Sequence, residues 1–297
     1  MRIFITGASG FIGTALVPEL LQAGHPVLGL SRSEAGVKAL TAAGAQAQQG
    51  TIEDLDLLRT SAAKSDAVIH LAFNHDFSKF AANSDADKLA IEALGAALKG
   101  TDRPLIVTGG VATLAAGRLA TEADPHPPIN PQLPRASEAT AVALAEQGVN
   151  ASTMRLSQIH DTHKAGLVTF LAAIARQKGV SAYIGEGRNR WAAAHLLDTA
   201  HLYRLAIEKG KAGDRYHAVG EEGVALRDIA EAIGRGLNIP VVSKTPEEAA
   251  EHFGFLGYFA GIDAPASSAQ TQQRLGWNPK GNPTLIEDLN NTNFNEG

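Results

Sequence analysis

Short apolar runs and longer stretches with apolar residues every three or four positions take turns along the first half of the chain. Ile3-Phe4-Ile5 suits a buried strand, and the spacing behind it predicts a helix over 14–23 closed by Gly24. The same alternation predicts strands over 27–30, 45–49, 66–73, 104–108 and 151–156, with helices over 37–43, 54–63, 86–98 and 136–147 between them. Strands separated by helices of about ten residues imply an α/β fold, a doubly wound parallel sheet of the Rossmann type.

Past residue 156 the pattern loosens. Residues 157–164 read as a polar loop, 166–178 as a helix with Leu167, Phe170, Leu171 and Ile174 on one face, and 183–191 as a flexible loop. A strand-to-helix step over 192–198, a helix over 199–209 and a strand over 215–219 follow, then helices over 224–234, 246–253 and 267–275 and a polar, loosely held end over 290–297. Five prolines between residues 123 and 135 exclude helix and inner strand there and suit a rigid loop on the rim of a site. The expected organisation is a dinucleotide-binding domain over 1–160, completed by sheet elements from about 190–220. A smaller subdomain takes 161–189 and 221–297.

Composition narrows the classes. With no cysteine among 297 residues, disulfides, thiolate nucleophiles and cysteine-ligated metal are excluded. No apolar run reaches the length of a membrane span, and no charged leader precedes the first strand, so a cytoplasmic protein without a membrane partner is expected. A net charge of −5 argues against nucleic acid as the main partner. A small molecule remains, bound by a monomer or homodimer.

The candidate chemistry starts at Gly7, Gly10 and Gly13, which break the chain directly behind the first strand. That spacing lets backbone approach a diphosphate at the positive start of a helix, and Ser9, Phe11 and Ile12 share the turn. The second strand ends at Ser31-Arg32-Ser33 instead of an acidic residue. A guanidinium without a carboxylate favours the 2′-phosphate of NADP over the free ribose of NAD.

Thr6 to Gly13, Ile69-His70-Leu71-Ala72 and the 192–198 step together resemble the extended and atypical branch of the short-chain dehydrogenase/reductase superfamily, which includes the NAD-dependent epimerase/dehydratases. The resemblance implies that Gly7, Gly10, Phe11, Ile12 and Gly13 meet the pyrophosphate and Arg32 the 2′-phosphate. It further implies that Thr51 and Ile52 meet the adenine, with Leu71, Ala72 and Phe73 on the nicotinamide side. The departure lies in the catalysts. The superfamily uses a Tyr, a Lys four residues later and a Ser or Thr after the fifth strand, whereas Tyr183, Tyr203, Tyr216 and Tyr258 are followed four residues on by Gly187, Ile207, Gly220 and Ile262. Pro134 and Glu138 stand where the pair would fall, Ser137 matches, and Thr108 is the hydroxyl nearest the end of the fifth strand.

Two readings follow. In one, the chain is an oxidoreductase or epimerase/dehydratase-like enzyme on a small hydroxylated or carbonyl substrate, with Thr108, Ser137, Glu138 and His75 as acid/base candidates and burial raising the Glu138 pKa. In the other, it is a non-catalytic NADP sensor. On the substrate side, Arg188, Arg190 and Trp191 offer anion binding and ring stacking. His160, Asp161 and His163 have no further metal ligand nearby and no rigid scaffold, so no metal is expected. Ser9 lies in Gly7-Ala8-Ser9-Gly10, which lacks the GxSxG elbow of a serine hydrolase.

Overall fold

A computed structural model describes residues 1–131, 133–279 and 282–294. The elements run β1 (Ile3–Thr6), α1 (Phe11–Gln22), β2 (Val27–Ser31), α2 (Glu34–Ala42), β3 (Gln46–Gln49), α3 (Leu55–Ala63), β4 (Ala67–His70), α4 (Phe80–Leu98), β5 (Leu105–Gly110), α5 (Ser137–Glu146) and β6 (Ala151–Leu156). After them come β7 (Gln158–His160), α6 (Val168–Lys178), β8 (Ser181–Ile184), β9 (Arg190–His195), α7 (Leu196–Lys209), β10 (Arg215–Ala218), β11 (Glu221–Ala225), α8 (Leu226–Leu237) and β12 (Val241–Lys244). Helices α9 (Pro246–Phe253), α10 (Gly257–Gly261), α11 (Ala269–Leu275) and α12 (Leu285–Asn291) follow.

The chain divides into two compact units, each assembled from three segments. The first comprises Met1–Gly109, His126–Arg155 and Ala200–Tyr216. Its frame is a seven-stranded sheet in the order β10-β6-β5-β4-β1-β2-β3, and the β1–β2, β1–β4, β2–β3 and β4–β5 pairs are parallel. Apolar runs such as Ile3-Phe4-Ile5 are continuous because helices cover both faces of such a sheet. On one face, Phe4, Val68, Leu105 and Val107 pack with Leu58 of α3, Ile91 and Leu94 of α4 and Leu144 of α5. Each large side chain so buried contributes about 1.5–3 kcal/mol. Strand order reverses beside β1, and in open α/β sheets ligands bind at the carboxyl ends of strands flanking such a switch.

The second unit comprises Gly110–Pro125, Leu156–Thr199 and His217–Gly297. Two small sheets organise it, β11-β9-β7 and the parallel pair β12-β8. Around them, Val168 and Leu171 of α6, Ile229 and Ile233 of α8, Phe253, Leu256 and Leu285 form a core. Capping boxes at Thr245 with Glu248 and at Thr284 with Glu287 start α9 and α12.

Several expectations give way here. The 157–164 loop contains β7, whose alternation is too short to read from three residues. The supposed flexible loop over 183–191 is the end of β8, a turn at Gly185 and Gly187, both with positive φ, and the start of β9. Strand β9, expected among the closing elements of the main sheet, pairs instead with β7 and β11. Part of the 290–297 end lies outside the described residues, but Phe294 is buried in the second unit and its carbonyl accepts from Arg176.

Candidate functional site

The glycine turn of the first unit joins β1 to α1. Gly7 holds φ at +70°, and a Cβ there would stand 2.9 Å from the Ala72 nitrogen, so this backbone passes close to the chain leaving β4. A Cβ on Gly13 would stand 2.3 Å from the Ala8 carbonyl oxygen. Gly10 caps α1 without any side-chain acceptor, which leaves the first-turn N–H groups to an acceptor from outside. Ser9 Oγ and Ser31 Oγ lie 2.9 Å apart, and Ser33 caps α2 by accepting from the Gly36 nitrogen. Arg32 is exposed between them. Thr51 and Ile52 are half-buried in the turn after β3, where the Thr51 nitrogen donates to Asp54. The cradle with no room for side chains and the uncapped helix start fit the diphosphate of a dinucleotide.

Beside the β4 and β5 ends lies a buried polar chain. Thr6 Oγ1 accepts from the Ala72 nitrogen at 3.2 Å and lies 2.8 Å from His70 Nδ1, while His70 Nε2 lies 3.1 Å from Asp87 Oδ1. Ser137 Oγ donates to Asp87 Oδ2 at 2.6 Å and accepts from Arg135 Nε at 2.7 Å, and Arg135 Nη2 donates to the Thr108 carbonyl at 2.9 Å. The guanidinium also lies over the Phe73 ring, 4.1 Å from its centroid. Burial alone would push the Asp87 carboxyl up; the His70 hydrogen bond and charge, then Arg135 and Ser137, hold it below the usual carboxylate range. Burial draws the Arg135 guanidinium down from its ordinary value, with Asp87 opposing.

Structure thus brings Thr108 and Ser137 together, but through Arg135, which sequence reasoning passed over along with Asp87. Their signal was faint: Arg135 is the neighbour of Pro134, and Asp87 sits mid-helix in α4. Thr108 Oγ1 donates to the His70 carbonyl and lies 2.8 Å from the Tyr203 hydroxyl. Complete burial pushes the Tyr203 phenol well above its ordinary value, so it keeps its proton.

Glu138 requires correction. Its side chain is 1% exposed and both oxygens accept from Arg155, at 2.6 and 2.8 Å, with Arg215 Nε 3.3 Å from Oε1. A carboxylate held this way is one half of a buried ion pair, with both oxygens engaged. His75 is exposed on the loop after β4, ring to ring with Phe73 and Phe77.

In the second unit, Trp191 is 2% exposed and its Nε1 donates to the Phe259 carbonyl, so the ring packs in the core and is closed to stacking by a ligand. Arg190 is paired with Asp263, and the exposed Arg188 with Glu186. The Arg190 contact ties β9 to the segment after α10. His160, read as a loop residue, is buried in β7 with Nδ1 2.7 Å from Asp288 Oδ2. Among the described residues, no group of three or more His, Asp or Glu is placed to hold a metal ion, and no helix is long and apolar enough to cross a membrane.

The family model described as NAD dependent epimerase/dehydratase matches residues 3–219. Among curated relatives, uncharacterized proteins of Schizosaccharomyces pombe and Saccharomyces cerevisiae are 50% and 42% identical, each over 97% of this chain and 98% of the relative. Among solved structures, a UDP-glucose 4-epimerase of Thermus thermophilus in complex with NAD superposes with a TM-score of 0.76 at 18% identity, covering 100% of this chain and 99% of that one.

Proposed function

From the premise that the chain belongs to the NAD-dependent epimerase/dehydratase family, we propose that it is an NADP-dependent oxidoreductase acting on a small carbonyl or hydroxylated substrate without the Tyr-Lys pair. The observation that carries the reading is the Asp87–Ser137–Arg135–Thr108 chain, which occupies the neighbourhood of the absent pair.

In this reading Gly7, Ser9, Gly10, Phe11, Ile12 and Gly13 receive the diphosphate, Ser31 and Arg32 the 2′-phosphate, and Thr51 and Ile52 the adenine. Leu71, Ala72 and Phe73 line the nicotinamide side. The bound cofactor supplies or accepts hydride. Arg135 keeps its proton and therefore orients a substrate oxygen, while Ser137 Oγ holds the exchangeable proton against the ionised Asp87. Thr108 positions Arg135 through its carbonyl, and Glu138 acts only as the partner of Arg155. A cysteine-free chain suits the reducing cytoplasm, which we propose as its compartment.

Fluorescence titration with NADPH and NADH tests the cofactor. NADPH should bind more tightly, and Arg32→Asp should reverse the preference by about 10- to 100-fold, the worth of one charge-assisted hydrogen bond. Ser137→Ala should abolish NADPH consumption with carbonyl compounds while leaving NADPH affinity unchanged. Tight NADPH binding with no turnover of any carbonyl would favour the sensor.

A further inference from the structure

Strand β3 closes the seven-stranded sheet on one side, and among the described residues no other strand lies along its outer edge. Its parallel ladder with β2 runs from Gln46 to Gln49 without a shift of register. The Gly50 nitrogen donates to the Ser31 carbonyl at 3.0 Å, so by alternation Gln48 and Gly50 face β2 while Ala47 and Gln49 turn their N–H groups outward. The Ala47 carbonyl faces the same way, and the Gln49 carbonyl accepts from the Gln48 side chain. Sheets commonly blunt such an edge with charges, prolines or bulges, and Gln46-Ala47-Gln48-Gln49 carries none of these.

Two hollows follow this edge between β3 and α3. Their volumes are about 590 and 650 Å³, and they meet at Gln48 and Leu57, which line both. The charge of the lining changes sign along the strand. Beside the start of β3 stand Arg2 and Lys64, and beside its end stand Glu53, Asp54 and Asp56 with Arg59 among them. Some of these groups are engaged: Asp66 accepts from the Arg2 backbone nitrogen, Asp54 from the Thr51 nitrogen, and Asp56 pairs with Arg59 at 2.7 Å. Lys64 and Glu53 are exposed, and neither is paired with a charged group among the described residues. Two cations against Asp66 at one end and three carboxylates against Arg59 at the other leave the groove basic at its start and acidic at its finish.

We infer that β3 pairs with the β3 of a second copy of this chain. A two-fold axis at the edge sets the two strands antiparallel, so the basic start of each lies against the acidic end of the other. The strand has four residues and spans about 13 Å, so both ends engage at once. The outward backbone groups of Ala47 and Gln49 then gain partners, and the groove beside α3 is covered. A peptide from another protein would meet the same backbone groups, but a surface of opposite sign at its two ends is what self-complementarity under a two-fold requires. The pairing is independent of the oxidoreductase reading above.

Sedimentation velocity of the whole protein across the micromolar range should show monomer and dimer in equilibrium, with the dimer weakened by added salt as screening removes the attraction between the ends. Amide hydrogen exchange at Ala47 and Gln49 should slow as protein concentration rises. Lys64→Glu and Glu53→Lys each place like charges at both ends of the pairing. Both residues are exposed, so each variant should keep the wild-type melting temperature while its dimer dissociation constant rises at least about tenfold. Mixed together, the two variants bring opposite charges back to both ends and should form a heterodimer of wild-type affinity. A monomer at every concentration, a dimer that leaves exchange at β3 unchanged, or a dimer that either variant leaves as tight as wild type would overturn the inference. So would two weakened variants that fail to restore each other.

Discussion

Replacing Glu138 by Gln separates two roles that one carboxylate can have. Arg155 is fully buried and meets Glu138 through two hydrogen bonds, so the amide would remove the charge that Glu138 supplies to a cation inside the protein. Breaking such a pair from one side costs about 3–5 kcal/mol. With an unfolding entropy of about 2.1 cal/mol/K per residue over 297 residues, the melting temperature should fall by roughly 5–8 °C. Differential scanning calorimetry reads the shift directly, and NADPH titration on folded variant below its transition reads the site. A second variant, Glu138→Leu with Arg155→Met, removes both charges and should recover more than half of the loss. Unchanged melting with turnover abolished would refute this account, because it would mean that the carboxylate works on substrate and not on Arg155.

Other expectations are as direct. Gly13→Ala places a methyl 2.3 Å from a backbone oxygen that cannot rotate away, so NADPH binding should be lost and stability should drop by about 1–3 kcal/mol in urea titrations. Asp87 should make stability sensitive to acid. Its folded pKa lies below the ordinary value of about 3.9, so its contribution is complete above that value and is lost as pH falls through the folded pKa, because the unfolded chain takes up the proton first. Urea unfolding between pH 3 and 7 should therefore show a steeper acid limb for wild type than for Asp87→Asn.

Where a feature lies in a single run of residues, the sequence displays it. The glycine turn is one such case, since its geometry depends on Gly7, Gly10 and Gly13 themselves, and the buried strands β1, β4 and β5 announce themselves as unbroken apolar runs. Strand β7 does not, because three residues carry no period and His160 finds its partner 128 positions away in Asp288. Arg135 was hidden for the same reason: Phe73, Thr108 and Ser137 come from three different elements, and only their convergence fixes the guanidinium. Glu138 shows the opposite hazard, a residue whose position suggested chemistry and whose partner, Arg155 on β6, turned it to structure.

The interleaving of the two units bears on how the protein comes to exist. A nascent chain that has reached residue 155 already holds every residue assigned to the nucleotide, yet it lacks Tyr203, which meets the Thr108 hydroxyl, and the β10 strand that flanks β6. Maturation of the nucleotide-binding half must wait until residues 200–216 have left the ribosome, after much of the other half has been made. Cutting the gene at any one point between them would yield two incomplete pieces.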